Sequence, residues 1–202
     1  IGGYVDTVRG MTPEATRTAL AAAHDYNRHL VAGPLLDPYT ATSDARVPSA
    51  DPVYQTYLHT LDVGGDEIMG YVAAPEIGLS LPIYHGTAPA TLDRGIGHLY
   101  GTALPVGGPG THSVLTGHSG LVRSTMFTNI RKLRRGDEFT VTVLDHTLTY
   151  RVDQIRTVLP EDTDALRAVA GKDYVTLVTC TPIGVNSHRL LVRGVRVAGD
   201  AG

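Results

Sequence analysis

The pattern of apolar and polar positions changes character near residue 68. Before it the spacing is helical. Ala15, Ala19, Ala22, Tyr26 and Leu30 recur every three to four residues behind Thr12, a good N-cap, with Pro13 in the first helical position and Glu14 at the positive end of the dipole. This predicts a helix over 13–32, stopped by Gly33-Pro34. A second, shorter helix is predicted over 52–62, opening at Asp51-Pro52 and closing before Gly64-Gly65. Residues 33–50 between them read as an irregular loop, punctuated by Pro34, Pro38 and Pro48 and dominated by small polar residues after Tyr39. Loops of that length usually carry function or move.

From residue 68 onward the period is two. Ile68–Ala74 and Leu79–Tyr84 read as strands around a Pro75–Gly78 turn, and His112–Leu115 as a strand running into a glycine turn. Phe139, Val141 and Val143 alternate with Thr140, Thr142 and Leu144, and Leu148–Val152 and Gln154–Leu159 continue the pattern. Asp162–Ala170 reads as a short helix, and Tyr174–Thr179 and Leu190–Val197 as two strongly β-prone strands. Many strands with short connections imply a mostly β fold, a closed or nearly closed barrel with the predicted helices outside it. The expected organisation is N-terminal helices and loop over 1–66 and a β-barrel over 67–202, forming one compact unit.

Composition narrows the class. At 42% apolar residues the 202-residue chain can build a core, and a formal charge of −3 gives no nucleic-acid footprint. No apolar run approaches the roughly 20 residues that cross a bilayer. The chain starts at Ile1, which reads as a soluble fragment of something longer, with any membrane anchor lying outside it. The single cysteine, Cys180, excludes an intrachain disulfide and a cysteine-based zinc cage, and no histidine pair has a convincing metal spacing. No cofactor is expected.

Taken alone, Cys180 reads as a small buried hydrophobe; its surroundings reverse that. Pro182 and Gly184 end the strand just past the thiol, leaving Cys180 at a strand exit, and Arg189 opens the returning strand. A guanidinium beside the sulfur would favour thiolate and could donate to a developing oxyanion. His118, in Thr116-Gly117-His118-Ser119-Gly120, stands on a glycine-flanked loop after an apolar strand, where an imidazole can trade protons with a thiol or an amine. His98 and His112 read as structural and His24, His29 and His59 as solvated, while His188 merely neighbours the site. Arg193 and Arg196 read as routine surface charges. Gly107–Gly110 lacks the Lys-Ser/Thr ending of a phosphate loop.

The string TLVTCTPIGVNSHRLLVRGVRV resembles the sortase signature, a Thr-Leu-X-Thr-Cys followed by an arginine some nine residues on, and GHLYGTALPVGGPGTHSVLTGHSGL is similar to that family's histidine region. The likeness extends through MGYVAAPEIGLSLPIYHG and covers roughly two-thirds of the chain, with two blocks agreeing in order and spacing. The resemblance implies an eight-stranded sortase barrel and cleavage of an Leu-Pro-X-Thr-Gly-like sorting signal between Thr and Gly, with Cys180 as nucleophile, His118 as proton carrier and Arg189 as oxyanion donor. Asp37-Pro38-Tyr39 is similar to the lid motif of class C, the pilin-polymerising sortases. That likeness implies Asp37 paired with Arg189, Tyr39 over Cys180, a pilin lysine as acceptor, and pilin subunits as partners. It also implies a membrane-anchored full-length form on the extracytoplasmic face of a Gram-positive cell. The alternatives are a housekeeping sortase that attaches proteins to a wall-peptide amine, a hydrolytic cysteine peptidase, and a binding module with an inert barrel.

Overall fold

The computed structural model describes residues 1–39, 47–121 and 125–197; the polar stretch after Tyr39 falls partly outside them. Three helices come first, α1 (Gly2–Arg9), α2 (Pro13–His29) and α3 (Pro52–His59). Their caps follow from sequence: the Thr12 hydroxyl accepts from Ala15 N at 3.1 Å, and the Asp51 carboxylate accepts from Val53 N and Tyr54 N at 2.9 and 3.0 Å. Both cap prolines hold the first turn. Helix α2 stops at His29, short of Gly33-Pro34, because Leu30 already turns extended.

Eight strands follow: β1 (Ile68–Ala74), β2 (Leu79–His85), β3 (Ile96–His98), β4 (Thr111–Thr116), β5 (Glu138–Val143), β6 (His146–Val158), β7 (Asp173–Thr181) and β8 (His188–Arg196). They close a barrel in the order β1-β2-β3-β4-β7-β8-β6-β5. The pairs β2–β3 and β4–β7 are parallel and the others antiparallel. A one-turn helix α4 (Pro89–Leu92) makes the crossover from β2 to β3. Inward positions fill the centre, Val72, Ile83, Ile96, Leu115, Phe139, Tyr150, Leu177 and Val192 being all but inaccessible.

Two local expectations are corrected, and the expected Pro75–Gly78 turn is present. The segments expected over 148–152 and 154–159 merge into one strand, β6, which ends at Val158 and whose register slips by one residue between Val152 and Gln154 against β8. That bulge is what breaks the alternation into two apparent strands. The helix expected over 162–170 reduces to a single 3₁₀ turn, Asp164–Leu166, since Arg167 is extended and its carbonyl accepts from His112 Nδ1 at 2.9 Å. The Pro75–Gly78 turn holds a 3₁₀ turn closed by Gly78 in the left-handed region at φ +67°, where glycine carries no Cβ penalty.

The helices are fastened to the barrel by two-headed polar side chains. Tyr4 of α1 donates to Met69 O at 3.2 Å and accepts from Leu144 N at 2.7 Å. Asn27 of α2 donates to Leu104 O at 3.1 Å and accepts from Leu104 N at 2.8 Å. Tyr57 of α3, fully buried, donates to His98 Nδ1 at 2.8 Å and accepts from Gly86 N at 2.9 Å. With α2 and α3 held in this way, the 33–39 segment between them is carried across the barrel end where β4, β7 and β8 meet.

Candidate active site

Cys180 lies in the last turn of pleat of β7. Across the antiparallel β7–β8 ladder it pairs directly with Arg189. On the other side, the parallel β4–β7 ladder runs to Thr116↔Val178, and Gly117 N donates to Val178 O at 3.1 Å. Continued two residues further along both segments, that register sets His118 beside Cys180. Adjacent strands stand about 4.8 Å apart, so the sulfur has the imidazole-bearing segment on one flank and the guanidinium-bearing strand on the other. Neither apolar core cluster includes Cys180.

The cleft is covered. Cys180 is 8% exposed and Arg189 5%. Arg189 turns its fork onto Asp37, Nε to Oδ1 at 2.7 Å and Nη2 to Oδ2 at 3.0 Å, and spends Nη1 on the carbonyls of Asn186 and His188 at 2.9 and 3.0 Å. This is a buried, bidentate, charge-assisted pair. Tyr39 lies beside it. Its hydroxyl sits 2.7 Å from Gly117 O and 3.0 Å from Val178 O, its ring centre is 6.0 Å from that of His118, and the Arg189 guanidinium carbon is 5.0 Å from the ring centre. Asp37 and Tyr39 thus lie against Arg189 and the His118 segment.

Charge in the closed cleft opposes a thiolate. Burial pushes the Cys180 thiol above its ordinary range; the Arg189 guanidinium pulls it down, and the Asp37 carboxylate pushes it up again. Tyr39 is driven well above the usual phenol range, first by burial and then by the neighbouring Cys180, with Arg189 opposing. Burial works against the Arg189 charge as well, but its hydrogen bonds to Asp37 and the neighbouring Cys180, Asp37 and Tyr39 outweigh it and raise its pKa. His118 is the most open of the three, with 28% of its side chain exposed and Nε2 3.8 Å from Asp93 Oδ1.

The other histidines divide as expected where they are buried. His98 is pushed down to about 3 and His112 to about 4, each chiefly by desolvation. His98 holds Tyr57 and Ala103 O, and His112 holds Arg167 O and Thr176 Oγ1, so both serve the fold. Arg193 and Arg196 are not routine surface charges. Arg193 forks onto Asp153 at 2.9 and 3.0 Å and lies 4.0 Å over the Tyr174 ring, and Arg196 stands 3.5 Å from Asp173. Among the described residues no cluster of His, Cys, Asp or Glu could hold a metal ion, and no helix is long and apolar enough to cross a membrane. One residue bearing on the cleft was not singled out from sequence: Ser119, whose hydroxyl donates to Cys180 O at 2.7 Å.

Comparison with known proteins points the same way. The family model described as "Sortase domain" matches residues 72–197. Among solved structures, sortase C-1 from Actinomyces oris is 54% identical with a TM-score of 0.85, covering 92% of this chain and 99% of that one. Sortase A from Corynebacterium diphtheriae is 46% identical with a TM-score of 0.87, covering 95% and 88%. Sortase C from Streptococcus pneumoniae is 38% identical with a TM-score of 0.86, covering 100% and 98%. Among curated proteins, sortase D of Bacillus subtilis is 29% identical over 63% of this chain and 63% of its own length, and sortase A of Streptococcus agalactiae is 29% identical over 63% and 50%. The chain thus spans half to just under two thirds of those two relatives.

Proposed function

The chain belongs to the sortase family of cysteine transpeptidases, with class C sortases among its structural neighbours, and on that premise we propose that it cleaves an Leu-Pro-X-Thr-Gly-like signal and joins the acyl part to a pilin lysine. In this reading the Cys180 thiolate attacks the threonine carbonyl, and the Thr–Gly amide bond breaks. His118 gives its proton to the departing glycine amine, leaving a thioester. The acceptor amine then attacks the thioester and yields its proton to His118, and the thiolate leaves. Arg189 donates to the oxyanion of both tetrahedral intermediates, a contribution of about 3 kcal/mol for one such donor. Partners are pilin subunits that supply the signal and the lysine, at the Gram-positive cell surface where the family acts.

The observation that carries this reading is the register: Cys180 stands between the His118 segment and Arg189 at the end of the barrel. The lid supplies its second half. Asp37 occupies the guanidinium that an oxyanion needs, and in this reading Tyr39 covers the thiol, so that both compete with substrate. An open form populated at about 1% would lower apparent affinity roughly a hundredfold. A transpeptidation assay tests the proposal, with sorting-signal peptide, a pilin domain bearing the lysine, and a wall-peptide amine offered in separate arms. Cys180→Ala and His118→Ala are expected to give no product, and Arg189→Ala to lose about a hundredfold or more. Arg189→Lys, which keeps charge but lacks the fork, is expected to recover little. Product only with the wall-peptide amine would replace the pilin reading with the housekeeping one, and hydrolysis undiminished by either amine would replace both with a peptidase.

A further inference from the structure

The parallel β4–β7 ladder does not simply stop before the histidine. Its last backbone rung is Gly117 N to Val178 O, at 3.1 Å. In a parallel pair, successive donations from one strand fall two residues apart, so the next rung would be the N–H of residue 119 to the carbonyl of Cys180. Strand β4 has ended by then, and a side chain takes the rung instead: Ser119 Oγ donates to Cys180 O at 2.7 Å. We infer that Ser119 is a positioning residue, whose hydroxyl continues the ladder by one step and so holds His118 in register beside Cys180.

The surroundings show why a side chain does this. His118 must leave the sheet to present its ring, yet a free loop would let it wander. The segment is fixed at both ends. Gly117 sits where a Cβ would come within 2.5 Å of Ile96 and 2.9 Å of Phe127. Its carbonyl accepts from the hydroxyl of Thr179 at 2.7 Å. Past the histidine, Phe127 N donates to His118 O at 2.9 Å, Gly120 N donates to Thr128 Oγ1 at 2.9 Å, and Gly120 lies against Ile183 with φ +71°. Of these ties, Ser119 is the one that reaches the backbone of the cysteine itself. It couples the position of the proton carrier to that of the nucleophile.

This inference rests on the proposed roles of Cys180 and His118, and its test separates the two. Ser119→Ala, Ser119→Thr and Ser119→Val are made both in the natural chain and in the Asp37→Ala/Tyr39→Ala background, where the lid no longer limits turnover. Threonine and valine share a shape and differ in the hydroxyl, so this pair decides the matter even where alanine perturbs the loop. Crystal structures of the valine and alanine variants are expected to show the His118 ring displaced from Cys180 within an unchanged barrel. In the open-lid background, kcat is expected to fall between about ten- and a hundredfold, the scale of an ångström of misplacement. KM should stay within about twofold, and threonine should restore kcat. An unmoved ring, or valine turning over as fast as threonine, overturns the inference. An open-lid parent that forms no acyl-enzyme sinks the proposed function, and the ring position then still decides the role of Ser119.

Discussion

At the scale of single residues, the cleft holds its chemistry in an unreactive form. The thiol is raised by burial first, and the Asp37 carboxylate adds to that while Arg189 opposes it. Under the proposed lid role, Asp37→Ala/Tyr39→Ala removes burial and the carboxylate and leaves the guanidinium. The signs then add up to one direction: the thiol pKa falls. The rate of labelling by a small neutral electrophile, followed against pH, is expected to reach its half-maximum at lower pH in the double variant; a midpoint that stays or rises contradicts this balance. Cys180, His118 and Arg189 could be singled out as candidates because each stands in a short motif with a strand before or after it. Ser119 lay in the same string, but its role was not legible. It depends on which rung of a parallel ladder falls at Cys180, and register is a tertiary fact.

At the scale of elements, most of the barrel could be read from period-two alternation, because its strands bury one face in a common core. The misses have local causes. Strand β3 is only Ile96–His98, too short to alternate visibly, and exists because β2 and β4 pair with it on either side. Helix α1 opens on Gly2 and Gly3, poor helix formers, and owes its place to Tyr4 reaching Met69 and Leu144. The same device holds α3, which gives a direct test. Tyr57→Phe keeps the ring among its aromatic neighbours but strips the acceptor from Gly86 N–H and the donor from His98 Nδ1. Leaving those buried groups unsatisfied is expected to cost about 1–3 kcal/mol. Thermal unfolding should show a Tm lowered by roughly 3–10 °C. An unchanged Tm means that α3 is held by its apolar contacts alone.

At the scale of the whole molecule, the N-terminal segment reaches the cysteine end of the barrel through a buried ion pair. Asp37 and Arg189 are 152 residues apart in sequence and meet at 2.7 Å over the cysteine. The Asp37-Pro38-Tyr39 string reads as an ordinary turn on its own chemistry, and only its likeness to a lid motif suggested more; where it lands depends on α2 and α3 being docked beside the open end of β4, β7 and β8. Breaking the buried pair from the Asp37 side frees the guanidinium proposed to hold the oxyanion, while breaking it from the arginine side strands a carboxylate, so under the proposed mechanism the two deletions should differ sharply in activity. The central claim is that Cys180, once uncovered, is acylated by a sorting signal. Intact-protein mass spectrometry of the Asp37→Ala/Tyr39→Ala variant, incubated with an Leu-Pro-X-Thr-Gly peptide without acceptor, measures this most directly. The account predicts a hydroxylamine-sensitive adduct of the peptide's acyl portion, absent when Cys180→Ala is added. An uncovered enzyme that stays at its unmodified mass, with the thiol still open to a small electrophile, would contradict it.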